Sequence, residues 1–351
     1  MKCVRCGHDS KLKERPNRIC PGCGKPFAFE PREGDAVTDA AFQKAIDAVS
    51  ANGKVRWGVE HLHYEVARKV GRSAGTLVMI LKVAAIGLCV FAAATIFVGK
   101  TFNVAAFLLP LAALSGFLAW KLKKVGRVRL SLADFNKMWS QWRVAHGEPK
   151  GLIVRASPRG TPTPKRMFDS DIVDYSFDRA VICDRARTAD LLIANNFHFE
   201  NNCAVLSMDG YPEPLFDIVR AMLKRNPRLR VFALHDSSPG GCRMAHKLKN
   251  DPEWFAGQGK VTDVGLRPSQ ADIFRGLFIA AGPRVIAGAG ISALEARWLS
   301  ERSLELAVLR PEQILKRLFA AMHRKDEEDF DDDAFSYERS DIETDGDDGF
   351  G

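Results

Sequence analysis

Hydrophobic and polar positions change their rhythm three times along this chain. Between Thr38 and Ser50, Phe42, Ile46 and Val49 recur at helical spacing, with Thr38 or Asp39 placed to cap the start. A second helical piece is predicted from about Val59 to Val70. The pattern then becomes almost wholly apolar. Val83 to Gly99 is seventeen residues without a charge, extended backwards past Lys82 by Thr76 to Met79, and a second uncharged run covers Thr101 to Trp120. Each run is close to the roughly 20 residues that a helix needs to cross a bilayer. The expectation is a two-helix transmembrane hairpin over residues 76–121, with Lys82 snorkelling, Pro110 able to kink the second helix and Trp120 in the interfacial belt. The alternative is a buried helical hairpin. Arg68, Lys69 and Arg72 precede the first run, and Lys121, Lys123, Lys124, Arg127 and Arg129 follow the second, which predicts both termini on the cytosolic face of the inner membrane.

Beyond the hairpin, Leu132, Phe135, Met138, Trp139 and Trp142 lie on one face of a predicted helix, to pack against the first helix or lie in the lipid interface. Ser157 to Pro164 reads as a linker. From Arg179 onward the rhythm alternates. Short apolar runs at Ala180 to Cys183, Ala204 to Ser207, Val231 to Leu234, Val261 to Val264 and Leu304 to Val308 are separated by helical patterns at Ala186 to Ala194, Leu215 to Lys224, Cys242 to Leu248 and Ala271 to Leu277. Such alternation predicts an α/β fold, a Rossmann-like parallel sheet with flanking helices, whose ligands sit at the strand C-termini. Asp184 and Asp236 fall at two such ends.

Charge divides the chain further. Residues 326–351 hold 13 of the 43 acidic residues and one of the 51 basic ones, so residues 1–325 carry 50 basic against 30 acidic residues. The tail is expected to be disordered and either to cover the basic body or to engage a protein partner; its Phe330 to Phe335 core resembles the acidic tip of bacterial single-stranded-DNA-binding proteins. A basic body suits anionic lipid, nucleic acid or an acidic partner, and no small-molecule substrate is evident. The opening Met1 to Gly7 has no apolar run, so no signal peptide is expected.

Four of the eight cysteines are organised by spacing. Cys3 and Cys6, then thirteen residues, then Cys20 and Cys23, make two C-x2-C knuckles, each followed by a glycine (Gly7, Gly24). Four thiolates close a tetrahedral shell, predicting a structural zinc ribbon with His8 as a loop residue beside it. Cys89, Cys183, Cys203 and Cys242 are scattered, as in a reducing compartment.

Three segments of the α/β region resemble a known family. Phe232-Ala233-Leu234-His235-Asp236-Ser237-Ser238-Pro239-Gly240-Gly241 is similar to the aspartate turn of Toprim domains, most closely those of the topoisomerase VI A subunit and its meiotic relatives. Met208 to Pro212 resembles their Gly-Tyr-Pro turn, and Asp263 to Ser269 their Gly-Leu-x-Pro-Ser segment. The resemblance implies clustered carboxylates holding Mg²⁺ against a phosphodiester. Asp184 stands where the family has Glu, Asp236 matches the first Asp of its Asp-x-Asp, and Ser238 replaces the second. None of Tyr64, Tyr175, Tyr211 and Tyr337 has the surroundings of a nucleophile. Asp184 and Asp236 are read either as a retained Mg²⁺ site or as caps of the helices that follow, and Gly240 and Gly241 as a phosphate-receiving helix start. The glycines from Gly282 to Gly290 are read as a turn.

The chain therefore divides into a zinc ribbon (1–30), a cytosolic helical segment (36–72), the hairpin (76–121), a membrane-proximal helix (128–149), a linker (150–170), a Toprim-like α/β domain (171–325) and the tail (326–351). The expected function is a membrane-anchored, degenerate Toprim-like module that binds nucleic acid or a protein partner. The alternatives are a Mg²⁺-dependent nuclease or nicking enzyme using Asp184 and Asp236, and a structural membrane-assembly protein.

Overall fold

The computed structural model describes residues 1–97, 102–124, 130–154, 177–213, 216–226, 228–257, 260–274, 276–280 and 282–324, with side chains of the two longest helices described only at 59–70, 80, 82–94 and 107–118. The predicted linker at 157–164, the acidic tail and the residues joining the two apolar runs at 99–101 lie outside the described residues.

The chain forms two compact units. The first comprises Met1–Phe42, His63–His146 and Arg275–Phe278. It opens with two small loops tied by isolated antiparallel bridges, Lys2 with Asp9 and Ile19 with Pro26. Helix α1 (Asp39–Val49) starts in this unit, α2 (Val59–Phe97) runs through it, and α3 (Phe102–Lys124) and α4 (Leu132–His146) complete it. Phe29, Phe42 and Trp142 pack ring on ring, with Phe42 and Trp142 centroids 4.8 Å apart. The apolar face of α4 is thus buried against protein: Phe135, Met138 and Trp142 are all covered. Asp39 anchors this core from a fully buried position, accepting from the amides of Ala28 and Phe29 and pairing with His146 at 2.6 Å.

The transmembrane hairpin is not what the structure describes. Among the described residues no helix is long and apolar enough to cross a membrane, so the two-span hairpin, the membrane anchor, the membrane as partner and the inner-membrane location are corrected together. The helices themselves form, but α2 spends its first turns on Glu60, His61, His63, Glu65, Arg68 and Lys69, where Leu62, Tyr64 and Val66 are buried in protein. Val83, Ile86, Val90, Phe91, Phe107 and Phe117 are exposed.

The second unit comprises Gln43–Leu62, Gly147–Phe274 and Ile279–Gly351. Strands β1 (Arg179–Cys183), β2 (Cys203–Ser207), β3 (Arg230–Leu234) and β4 (Lys260–Asp263) form an all-parallel sheet of order β2-β1-β3-β4. Helices α5 (Ala186–Ala194), α6 (Phe197–Glu200), α7 (Phe216–Lys224) and α8 (Pro239–Asn250) carry the crossovers. Strands β1, β2 and β3 are apolar and almost wholly buried, as parallel sheets require, whereas β4 is polar and only partly covered. Val219, Leu223, Met244, Leu248, Trp254 and Phe255 fill one side of the sheet. After β4 come α9 (Pro268–Ala271), β5 (Ile279–Ala280), α10 (Ala293–Glu301), β6 (Arg302–Ser303) and α11 (Pro311–His323), with β5 and β6 antiparallel. The predicted strand at Leu304 to Val308 is instead a single antiparallel bridge, Leu304 with Ser237, followed by a 3-10 turn over Leu306–Val308.

The sheet order fixes where chemistry can gather. Chain direction reverses its progress between β1 and β3, so the loops after these adjacent strands leave on diverging paths and open a crevice at the strand C-termini. Asp184 directly follows β1, and Asp236 follows β3 after one intervening residue, His235.

Candidate functional sites

The four cysteines form the first site. Their sulfurs all lie within 4.8 Å of one another, with Cys3 Sγ and Cys23 Sγ 3.9 Å apart and Cys6 Sγ and Cys20 Sγ 3.7 Å apart. A tetrahedral zinc with Zn–S of about 2.3 Å separates its sulfurs by about 3.8 Å. The cluster is placed to hold a metal ion such as zinc. Each knuckle closes in the same way: the Cys3 amide donates to His8 O and Gly7 N to Cys3 O, while Cys20 N donates to Lys25 O and Gly24 N to Cys20 O. Gly7 and Gly24 sit at φ +74° and +66°, a region where a side chain is strained. Burial opposes the Cys20 thiolate, but the amides of Cys23 and Gly22 outweigh it and pull its pKa down to about 6. The His8 amide likewise favours the Cys6 thiolate, yet burial and the hydrogen bonds of the neighbouring sulfurs push Cys6 up to about 11, so the set crowds negative charge that a cation would relieve. His8 packs against Gly22 and is outside the ligand set.

The second site is the crevice between β1 and β3. Asp184 Oδ2 accepts from the Asp236 amide at 2.9 Å, and Asp236 Oδ1 accepts from the Leu306 amide at 2.6 Å. Neither carboxylate caps the helix that follows it. Ser238 caps α8, its Oγ accepting from Gly241 N at 3.1 Å, and Asp209 rather than Asp184 receives the first amide of α5, from Ala186 at 3.2 Å. The second oxygens are left over: Asp184 Oδ1 is buried with no hydrogen-bond partner, and Asp236 Oδ2 meets only guanidiniums, in an orientation that makes no hydrogen bond. Burial raises the pKa of Asp184, and burial together with the Asp184 charge raises Asp236 to about 6.

Three residues that no motif marked complete the crevice. Arg185 Nη2 lies 2.8 Å from Asp236 Oδ2, Arg187 Nη2 lies 3.7 Å from the same oxygen, and Glu305 pairs with both arginines at 3.2 and 2.7 Å. Arg185 precedes α5 and Arg187 lies in its first turn, but Glu305 arrives from 120 positions away in sequence, and no local signal points to it.

The glycines of the aspartate turn play separate parts. A Cβ on Gly241 would meet Asp236 O at 2.3 Å, so glycine there serves close packing, and its amide is already taken by Ser238. Gly240 has open space around it.

Behind Asp236, His235 is fully buried. Nδ1 faces Asp236 O at 2.8 Å and Nε2 faces Asp263 Oδ1 at 2.9 Å. Two acceptors call for a proton on each nitrogen, the imidazolium form. Burial works against that charge, but the Asp263 partner outweighs it and raises the pKa of His235; the same bond holds Asp263 down against its own burial. Gly265 leaves room for the ring: a Cβ there would meet His235 Cδ2 at 2.3 Å. The turn is clamped from α11 by the buried Arg317, whose guanidinium donates to Val264 O at 2.9 Å, Gly265 O at 2.8 Å and Gln270 Oε1 at 3.0 Å.

No protein-family model, curated protein or solved structure matches the chain. The three segments singled out in the sequence gather around one crevice: Asp236 and Ser238 at its centre, Asp209 beside α5, and the Asp263 to Ser269 turn behind His235.

Proposed function

We propose that the chain is a zinc-ribbon protein whose α/β domain is a degenerate Toprim-like module, with Asp184 and Asp236 as a Mg²⁺ site for a phosphate-bearing ligand. The observation that carries this reading is the buried Asp184 Oδ1, which has no partner, at the end of the strand adjacent to the one that carries Asp236. A hard divalent cation takes oxygen ligands and would satisfy it. When bound, it supplies charge to hold a phosphate oxygen. The chain's own residues supply the rest. Arg185, which is 42% exposed, presents a planar fork suited to phosphate, and Gly240 leaves the start of α8 open to close approach. His235 and Asp263, clamped through Gly265 by Arg317, fix the carbonyl of Asp236 and with it the turn that carries the carboxylate.

In the ribbon, zinc is the cofactor of this reading and its role is structural, because four thiolates leave no open position. The test is isothermal titration of inorganic phosphate into zinc-loaded protein with and without Mg²⁺. The expected result is phosphate binding that requires Mg²⁺ and is lost in Asp236→Asn. Binding that ignores Mg²⁺, or survives that change, contradicts the reading.

A further inference from the structure

The crevice lies at the C-terminal ends of the strands, and their N-terminal ends carry a different chemistry. There Arg179 of β1 stands in register with Arg230 of β3, and Arg230 with Lys260 of β4. Neighbouring strands lie about 4.8 Å apart, so the three basic residues form one row across the edge of the sheet. Like charges at that spacing repel. The fourth member of the row, Cys203 of β2, brings no acid to it. Among the described residues neither Arg179 nor Arg230 makes an ion pair. The turn from α7 into β3 adds Arg225 and Arg228, both exposed, and is tied to the start of β1 by Asn226 Nδ2, which donates to Phe177 O at 2.9 Å. Lys224 Nζ donates to Pro252 O at 2.7 Å, in the connection into β4. The acids of this edge, Asp178, Glu200, Asp251 and Glu253, lie beside the row, in the connections that lead into the strands.

The acidic segment of the chain starts at the same edge. Arg230 Nη1 donates to Met322 O at 3.4 Å, in the last turn of α11. Asp326 follows Met322 by four residues, and seven of the eight residues from Asp326 to Asp333 are acidic. Four residues of extended chain span at most about 14 Å, roughly three strand spacings, so the first acids are within reach of every member of the row. A tether this short gives the segment a local concentration in the millimolar range, which a partner in solution has to exceed. Residues 326–351 hold 13 acids and one base, the charge that complements the edge.

We propose that the acidic residues 326–351 bind the basic edge of their own chain, with the acids between Asp326 and Asp333 on the row of Arg179, Arg230 and Lys260, and so close this face to other polyanions. The assignment does not depend on a metal at Asp184 and Asp236, which lie at the other end of the strands.

The experiment is carbodiimide coupling of the full zinc-loaded chain, which joins a lysine amine to a carboxylate in contact with it as an amide, read by mass spectrometry of the digest. Equal amounts of ordinary and isotope-labelled chain are mixed, so that joints within one chain are told from joints between two. The expected joints run from Lys224 or Lys260 to acids of residues 326–333, within one chain. They are expected to disappear in about 1 M NaCl, where charges are screened beyond about 3 Å. Arg179→Gln combined with Arg228→Gln, which leaves both lysines in place, is expected to reduce the joints about fivefold, since each exposed charge contact is worth a few-fold at most. The salt comparison is made on the parent, so it stands whatever the double variant does to folding. No joints to residues 326–333, joints that persist in salt, or joints to Lys11, Lys13 and Lys25 as frequent as those to Lys224 and Lys260 overturn the assignment. Joints found only between chains overturn it too, and make a second copy the occupant of the edge.

Discussion

Gly265→Ala tests how tightly the crevice is built. The new Cβ would lie 2.3 to 2.4 Å from Cδ2, Cγ and Nε2 of His235, more than 1 Å inside ordinary carbon contact of about 3.5 Å. The ring has nowhere to yield, because it is fully buried and held on both nitrogens, at 2.8 Å by Asp236 O and at 2.9 Å by Asp263. Overpacking of this kind costs about 1–3 kcal/mol. Losing the charged His235 to Asp263 hydrogen bond adds about 1.5–3 kcal/mol. The expected destabilisation is therefore about 2.5–6 kcal/mol, near the upper end for a single substitution. Urea denaturation followed by circular dichroism measures it. Gly240→Ala is the control, two residues into α8 with open space around it, and is expected to be neutral or to stabilise by up to about 1 kcal/mol. Gly265→Ala within about 0.5 kcal/mol of the parent, the range of an ordinary surface change, refutes the packing described here.

Other outcomes follow from the same geometry. Arg317→Lys keeps the charge but cannot reach Val264 O, Gly265 O and Gln270 Oε1 at once, so it is expected to lose about 1–3 kcal/mol in the same urea assay, the cost of a buried carbonyl left unpaired. Cys20→Ser removes a buried ligand of the four-sulfur set; mass spectrometry of the native protein is expected to show one zinc per chain in the parent and none in the variant, with proteolysis appearing within residues 1–30. His61 is buried, its Nδ1 has no partner, and burial lowers its pKa, so the unfolded chain binds the proton more readily than the folded one. Stability from this residue is present above the unfolded value of about 6.5 and falls as pH drops below it. His61→Leu is expected to flatten the loss of stability between pH 7 and pH 5 relative to the parent; an unchanged slope contradicts a neutral, buried His61.

What could be read from the residues alone was what short-range chemistry encodes. The cysteine spacing announces a shared ion because two knuckles, each closed by a glycine, suffice to bring four sulfurs together. Strands β1, β2 and β3 stand out because burial on both faces makes each a nearly continuous apolar run, as in Ala180–Cys183 and Val231–Leu234. Helix α2 misled for a related reason: apolarity alone does not say how much of a helix is embedded in protein, and the polar turns from Glu60 to Lys69 belong to the same helix as the apolar run beyond them. Arg185, Arg187 and Glu305 were invisible because their meaning comes from partners distant in the chain, brought together by the bridge between Ser237 and Leu304. Leu304 to Val308 was misread as a strand because its apolar run is buried, as a strand's would be, but it meets the sheet through one bridge.

The account turns on whether the carboxylates after β1 and β3 hold a divalent cation, and thermal unfolding at rising Mg²⁺ measures this directly. A cation that binds the folded chain at 100 times its dissociation constant adds about 2.7 kcal/mol of stability. The parent is expected to gain stability with Mg²⁺, and Asp236→Asn, which keeps the acceptor for Leu306 N but removes the charge, is expected to gain only what the acidic residues 326–351 contribute. An equal rise in both proteins would contradict the site.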